Sequence, residues 1–501
     1  MSVPSQRRAG VVLGYANIVV KNLVNLVYTP MLLSFVGQAD YGVYQTSNSF
    51  VFSLSLLSFG FSQAYVRFYT RKRSHGDDVR GLNGVYLVLY AVVSLAAFLF
   101  GLGFAAGAGT LFSASFTPDE VGLAQTVMSI MAGSIAVTLF NSVFDAYVLA
   151  HEEFRFQQSR QMLTTIATPF CAYGLLCMGF GVVGVAVAQL VVNVVLLVLN
   201  ASFCLGRLGM RFDVQHFDTA LFRSIAAFSA WIFANQVCDL VNQNVPNVLL
   251  GALTSASAVA VFAVSVQIRS VFYSLSTTMS SVFTPKINRI VAESDDNGEL
   301  TRLMTRVGRY QMVLFCWVYG GFAVLGRFFV REWAGEGFAD AYWLVLAMTA
   351  PLVIPLTQNT GIEIQRAKNM HRPRSIAMLI GAAFNVAVTL VASPLIGYWA
   401  PAIGYIACIF LCNGAFMNWY YQKKVGLDMV FFWRRNLPVL LAGVVVTVVC
   451  IAGTASLPVG GWVAFFGWGA VYSVLFAAAL WLVLLTKDER AAVTSRLPFL
   501  R

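Results

Sequence analysis

The sequence predicts an all-α membrane protein of about 14 transmembrane helices. Two six-helix lobes in pseudo-twofold repeat surround a central cavity, and two appended helices follow at the C-terminus. Three observations predict this. Hydrophobic residues form 58% of the 501-residue chain and charged residues only 11%, with a mean hydropathy of +0.73. That leaves too little polar surface to clothe a soluble domain. The basic residues recur in every second connection, the positive-inside pattern. Finally, the chain resembles itself at an offset of 218 residues.

Apolar runs of bilayer length fall near 10–36, 41–66, 84–108, 121–150, 161–180, 182–205, 222–253 and 256–283. Six more follow near 307–330, 338–365, 375–395, 400–421, 436–455 and 461–485. The start, MSVPSQRRAG, runs into an apolar stretch with no small-residue cleavage site, so the first run reads as an uncleaved span. Connections on the external side are short, the longest near 109–120 and 331–340. Of the 33 lysines and arginines, all but four fall at the ends of the chain or in alternate connections, which places both termini in the cytoplasm. The four exceptions are Arg327 and Arg331 on the other side and Lys21 and Arg269 within spans. The formal charge of +11 is therefore topology, with anionic lipid rather than nucleic acid as the partner of the basic loops.

The repeat organises the rest. At the 218-residue offset the seventh and eighth spans fall on the first two. Asn17 meets Asn235, Lys21 meets Asp239, Asn25 meets Gln243 and Tyr44 meets Phe262. Six spans separate the copies, an even number, so the copies share one orientation and are related by an axis along the membrane normal. The expected division is an N-lobe over 1–205, a C-lobe over 206–425, and helices 13 and 14 with a tail over 426–501.

In the first span, Asn17, Lys21 and Asn25 are spaced i, i+4 and i+8, so they stack on one helical face. A mid-membrane lysine costs roughly 2.5–3.5 kcal/mol on insertion scales, which favours a face lining a path. The alternative is a lysine paired inside a packed bundle. The seventh span, WIFANQVCDLVNQNVP, is the most polar, with Asn235, Asp239 and Asn242 on one face and Pro246 marking a kink. So many amides in one span favour a cavity wall over a packed core.

Arg269 is mid-span in the eighth run, either as a fork for phosphate or as the partner of Asp239. Asp145 closes a stripe of Ser134, Thr138 and Asn141, either as a functional carboxylate or as a hydrated interfacial one. Glu363 lies three residues before Arg366, its bland partner. Asp239, Glu363 and Asp145 are the candidates for coupling to a proton or sodium gradient. Gln45 and Asn48 in the second span, Asn385 and Thr389 in the eleventh, and Asn413 and Asn418 in the twelfth add polar lining suited to sugar hydroxyls.

The stretch TPMLLSFVGQADYGVYQTSNSF (29–50) carries Gly37-x-x-Asp40-Tyr41-Gly42-x-Tyr44 between the first two spans, and FDAYVLAHEEFRFQQSR (144–160) ends the fourth in a charged segment. With the twofold layout, these resemble the Wzx-type O-antigen and exopolysaccharide flippases of the multidrug/oligosaccharidyl-lipid/polysaccharide exporter superfamily. Lipid II flippases are close relatives of that group. The resemblance implies a MATE-like fold in the cytoplasmic (inner) membrane. It also implies movement of a polyprenyl-diphosphate-linked oligosaccharide to the outer leaflet, for O-antigen and lipopolysaccharide, capsule or exopolysaccharide. Lys21 and Arg269 would grip the diphosphate, and a polysaccharide polymerase and chain-length machinery would be partners. A cation-coupled multidrug exporter using Asp239 and Glu363 is the alternative, and a membrane-bound glycan-assembly enzyme is a third reading.

Other chemistry finds no support. No Walker A loop occurs, and the one G-x-G-x-x-G, Gly179 to Gly184, has no strand before it. His75, His151, His216 and His371 all lie in loops, so neither a metal site nor any other cofactor is expected. The eight cysteines lie in or beside apolar runs without zinc-type spacing and read as packing residues.

Overall fold

The computed structural model describes residues 3–58, 60–75, 77–213, 223, 225, 229, 244–281, 283–370 and 372–484. Those residues contain helices and turns, and no strand. Eleven helices among them are long and apolar enough to cross a membrane. The first of these, Ala16–His75, covers 60 residues and two expected spans. The expected fifth span is helical but too polar to be counted with the eleven, and most of the seventh lies outside the described residues.

The chain forms two compact units: residues 1–263 with 389–398, and residues 264–388 with 399–501. In the first unit, α1 (Val3–Ser53) is two helices joined at Gly37, whose φ of 77° interrupts the helical geometry. Only glycine holds that conformation without strain. The second expected span is broken again by a tight 3-10 turn, Leu54–Ser58, before α2 (Phe61–His75). The basic run RFYTRKR, expected in a loop, is therefore the amphipathic end of α2.

Next come α3 (Arg80–Phe112), α4 (Pro118–Ala150), α5 (Phe154–Cys177) and α6 (Gly181–Ser202). The expected 109–120 connection shrinks because α4 starts early. Thr117 Oγ1 accepts from the Glu120 N–H, Glu120 Oε2 accepts from the Thr117 N–H, and Pro118 occupies the first helical turn. At the other ends of these helices, Tyr65, Tyr69, Tyr86, Tyr90 and Tyr147 form a buried aromatic core. The Tyr65 hydroxyl donates to Asn83 Oδ1 at 2.6 Å and the Tyr90 hydroxyl lies 2.8 Å from Ser62 Oγ, whereas the buried Tyr86 hydroxyl has no partner among the described residues.

The short α7 (Val245–Leu253) has Pro246 in its first turn, and α8 (Ala256–Ser281) follows. Here the second glycine of the G-x-x-D-Y-G stretch acts. A Cβ on Gly42 would overlap the carbonyl oxygen of Ala256, so the backbones of α1 and α8 touch. Gln38 Nε2 reaches the Ser257 carbonyl at 3.4 Å beside that contact. Helices in lipid gain little from burying apolar surface against each other, so such close approach carries much of their association.

In the second unit, α8 continues into α9 (Thr284–Glu293), α10 (Asn297–Ala334), α11 (Ala339–Thr349), α12 (Val353–Thr357), α13 (Asn359–Ala367) and α14 (Arg372–Ile396). The chain goes on through α15 (Trp399–Cys408), continued by π-helical turns to Val425, α16 (Met429–Ser456) and α17 (Trp462–Ala479). The expected tenth span is thus one 22-residue run, Glu336–Thr357, tightened to a 3-10 turn at Pro351 and ended at Gln358, after which α13 begins as a separate helix.

Gly42→Ala is expected to lower stability in detergent by about 1–3 kcal/mol through overpacking against Ala256. Gly103→Ala on α3, where a Cβ meets open space, serves as the control and is expected to be neutral or slightly stabilising. Equal melting temperatures for the two variants would contradict the close approach.

Candidate functional site

The stripe on α1 behaves unevenly along its length. Asn17 is buried, and its Nδ2 donates to both the backbone oxygen and Oε1 of Gln158 on α5, each at 2.8 Å. Lys21, one turn on, is exposed and forms no ion pair among the described residues. Asn25 is half-buried, and Thr29, a further turn on, is buried. Thr29 continues the spacing of four and falls at the 218-residue offset on Asn247, which is also buried. Asn247 Nδ2 donates to Ser49 Oγ at 2.9 Å, which ties α7 to the second half of α1. Asn235, Asp239 and Asn242 lie outside the described residues.

Helices α1 and α5 touch near both ends, at Asn17–Gln158 and at Phe35–Tyr173, whose ring centroids are 6.0 Å apart. Between these contacts a groove of about 420 Å³ opens, lined by Leu23, Val27, Tyr28 and Met31 on α1 and Pro169 and Phe170 on α5. Pro169 lacks the N–H for a helical bond in α5, and such a residue commonly bends the helix. Lys21 lies two turns before Tyr28 on the same side of α1, and so flanks the groove.

Asp145 is held from three directions. Arg160 Nη1 forms an ion pair with its Oδ1, Asn200 Nδ2 donates to the same oxygen at 2.7 Å, and Asn141 Nδ2 approaches Oδ2 at 3.4 Å. Arg160 is only 12% exposed and lies on α5, so it belongs to the bundle rather than to a basic loop. A second rung lies two turns away, where Asn193 Nδ2 donates to Ser134 Oγ at 2.7 Å. The stripe Ser134, Asn141 and Asp145 is therefore zipped to α6 by Asn193 and Asn200. Those two asparagines sit seven residues apart in an apolar span, as Ser134 and Asn141 do in α4. That matched spacing was the legible signal of the zipper.

In the second unit, Arg269 on α8 lies with its guanidinium carbon 4.0 Å from the centroid of the Tyr405 ring on α15, and its Nη1 is 3.5 Å from Met348 Sδ on α11. No carboxylate contacts it among the described residues. Glu363 on α13 pairs with Arg366 at 2.7 Å, and Thr284 Oγ1 lies 3.5 Å from its other oxygen. Gln45 donates to the Tyr41 hydroxyl at 2.7 Å, and Asn48 is half-buried. Asn418 Oδ1 accepts from both Gln358 and Trp433, so this amide joins the turns around it. Among the described residues, no group of His, Cys, Asp and Glu is arranged to hold a metal ion.

The family described as "Polysaccharide biosynthesis protein" matches residues 31–343, more than half of the chain. The chain belongs to that family. The match begins just before the G-x-x-D-Y-G stretch and covers the α4–α5 segment, the two places that carry the resemblance. The chain is similar to the "Uncharacterized membrane protein EpsK" of Bacillus subtilis (strain 168), 23% identical over 479 residues, with 93% of each chain covered. The fold is that of "Lipid II flippase MurJ, inward closed conformation", with a TM-score of 0.76 at 13% identity, covering 97% of this chain and all of that one. It is shared with an inward-facing multidrug resistance MATE family transporter of the MOP superfamily, with a TM-score of 0.63 at 15% identity, covering 80% of this chain and 98% of that one.

Asp145→Ala leaves Arg160 buried without its counter-charge and is expected to cost about 3 kcal/mol of stability. Pairing it with Arg160→Met is expected to recover most of the loss in a detergent melting assay. A double variant as unstable as the single one would show that the ion pair is not what Asp145 contributes.

Proposed function

We propose that this chain moves a polyprenyl-diphosphate-linked oligosaccharide from the cytoplasmic to the outer leaflet of the inner membrane by alternating access. The observation that carries this reading is the distribution of charge within the spans. Asp145 and Glu363 are each engaged by an arginine, whereas Lys21 and Arg269 meet no carboxylate among the described residues. Cations within the spans that meet no carboxylate among the described residues suit an anionic substrate and oppose a cationic drug.

The roles follow from the chemistry of each group. Lys21 offers three N–H donors to a diphosphate, and Arg269 offers a planar fork. A guanidinium lying on an aromatic face keeps its in-plane donors free for an anion. The half-buried amides Asn25 and Asn48, together with Gln45, suit sugar hydroxyls, and Asn235 and Asn242 join them from the seventh span. The apolar groove between α1 and α5 gives the polyprenyl tail a place beside Lys21. Asp239 remains the carboxylate for proton or sodium coupling, since Asp145 and Glu363 already have cationic partners. Membership in a polysaccharide biosynthesis family supports a glycan over a drug. The glycan would be O-antigen, capsule or exopolysaccharide, delivered to a polymerase and its chain-length machinery.

The two-lobed arrangement, 1–205 and 206–425 with helices 13 and 14 appended, is part of the same proposal. At the 218-residue offset Gly42 falls on Ala260 and Gln38 on Ala256. The Gly42–Ala256 contact thus joins equivalent turns of the two copies, as expected near an axis of twofold repeat.

Lys21→Ala and Arg269→Ala are expected to reach the membrane at normal levels and to abolish or strongly reduce surface glycan. A lost charge-assisted contact of about 1.5–3 kcal/mol corresponds to roughly 10- to 150-fold weaker binding. Normal glycan export by both variants would overturn the diphosphate role. Restored drug resistance in a pump-deficient host expressing the wild type would favour the exporter instead.

A further inference from the structure

The two arginines that break the positive-inside pattern share one pocket. Arg327 and Arg331 are one turn apart on α10, near its end on the side away from the basic loops. Together with Tyr342 and Trp343 of α11, Thr454 of α16 and Glu336, they line a cavity of about 710 Å³. Cations on this side are disfavoured by topology, so the pair needs a local reason.

The helix dipole accounts for only one of them. Arg331 lies in the last turn of α10, where a cation meets free carbonyls. Arg327 lies a turn further in, with its guanidinium carbon 5.7 Å from the centroid of the Trp343 ring and no carboxylate in contact among the described residues. Arg331 lies 5.7 Å from the Phe328 ring centroid, and its Nε is 3.3 Å from Glu332 Oε1. That last pair is half exposed on both sides and adjacent in sequence, an arrangement worth little. The wall behind is fixed, because the buried Tyr342 hydroxyl donates to the Ala323 carbonyl at 2.7 Å. Counting Glu336, the charged lining groups sum to one positive charge, carried on two arginines whose Cβ atoms lie about 5–6 Å apart by helix geometry. Two guanidinium forks rooted one turn apart are able to converge on one phosphate group from two sides, and the ring of Trp343, 48% exposed, offers a face beside them.

We propose that this pocket binds a phosphate-bearing anion, the head group of a lipid in the leaflet away from the basic loops, gripped by Arg327 and Arg331. The site stands independently of the transported substrate, since it needs none of Lys21, Arg269 or Asp239. Glu336 opposes the bound anion from the rim and tunes its affinity downward.

The test uses the full chain in neutral phosphatidylcholine nanodiscs. Short-chain phosphatidylglycerol and, separately, inorganic pyrophosphate are titrated, with bound ligand read by native mass spectrometry. The double variant Arg327→Gln, Arg331→Gln is expected to weaken phosphatidylglycerol binding at one site by about tenfold or more, while Glu336→Gln tightens it. Arg327→Lys with Arg331→Lys, which keeps the charge and loses the fork, is expected to fall between wild type and the Gln pair. Because these side chains are exposed, an unchanged melting temperature separates lost binding from lost folding. Loss of pyrophosphate binding alone would support the phosphate site and overturn its lipid source. Equal binding of both ligands by wild type and the Gln pair would overturn the site.

Discussion

The close approach of Gly42 to Ala256 is the constraint on which the first unit depends. In lipid, two apolar helices gain almost nothing by exchanging hydrocarbon neighbours, so their association rests on how near the backbones come. Gly42 permits contact with the Ala256 carbonyl because it has no Cβ. That approach is possible only because Gly37 turns the chain first, with a φ of 77°. Tyr41, between them, is buried and accepts from Gln45, so the turn is locked from inside. One eight-residue stretch thereby sets the end of the first span, the start of the second and the docking of α8.

A second principle governs the charges. The bilayer core offers no water to satisfy a polar group, and each buried charge must find a partner in protein or line a wet space. Asp145 finds Arg160, Asn200 and Asn141, and thereby ties α4 to α5 and α6. Glu363 finds Arg366. Arg269 finds a ring and a thioether, partners that stabilise a cation without cancelling it. For the proposed diphosphate substrate the difference matters, because a carboxylate would compete with its phosphate, whereas Tyr405 would not.

How much of this could be read from the chain alone varied with the range of the interaction. The helices, the bend at Gly37 and the stripe of Asn17, Lys21 and Asn25 are properties of spacing, and spacing is written in the sequence. The offset of 218 residues even extends one turn beyond the polar pairs, to Thr29 and Asn247, both buried. Partners were harder. Gln158 and Arg160 sit in a charged run that looks like a loop, yet α5 carries both into the bundle. Asn193 and Asn200 repeat the seven-residue spacing of Ser134 and Asn141, but with partners 59 positions away the match emerges only when two separate spans are compared. Pro351 and Pro355 in the tenth span were visible as residues but not as geometry, since proline bends some membrane helices and ends others; here the run tightens at Pro351 and ends only at Gln358.

On the proposed transport of an anion, cations that meet no carboxylate among the described residues let it pass rather than stick. A buried ion pair is strong because both charges are desolvated together, and removing one partner costs several kcal/mol. A transporter that held diphosphate against a competing carboxylate would have to break such a pair on each cycle. Cations resting on aromatic faces gain only about 0.5–2 kcal/mol from the ring. They can accept a phosphate and return to the ring without that penalty. Arg269 over Tyr405 and Arg327 beside Trp343 share this arrangement, one mid-span and one at the far end of its helix. Lys21 differs, being exposed with neither a ring nor a carboxylate beside it among the described residues.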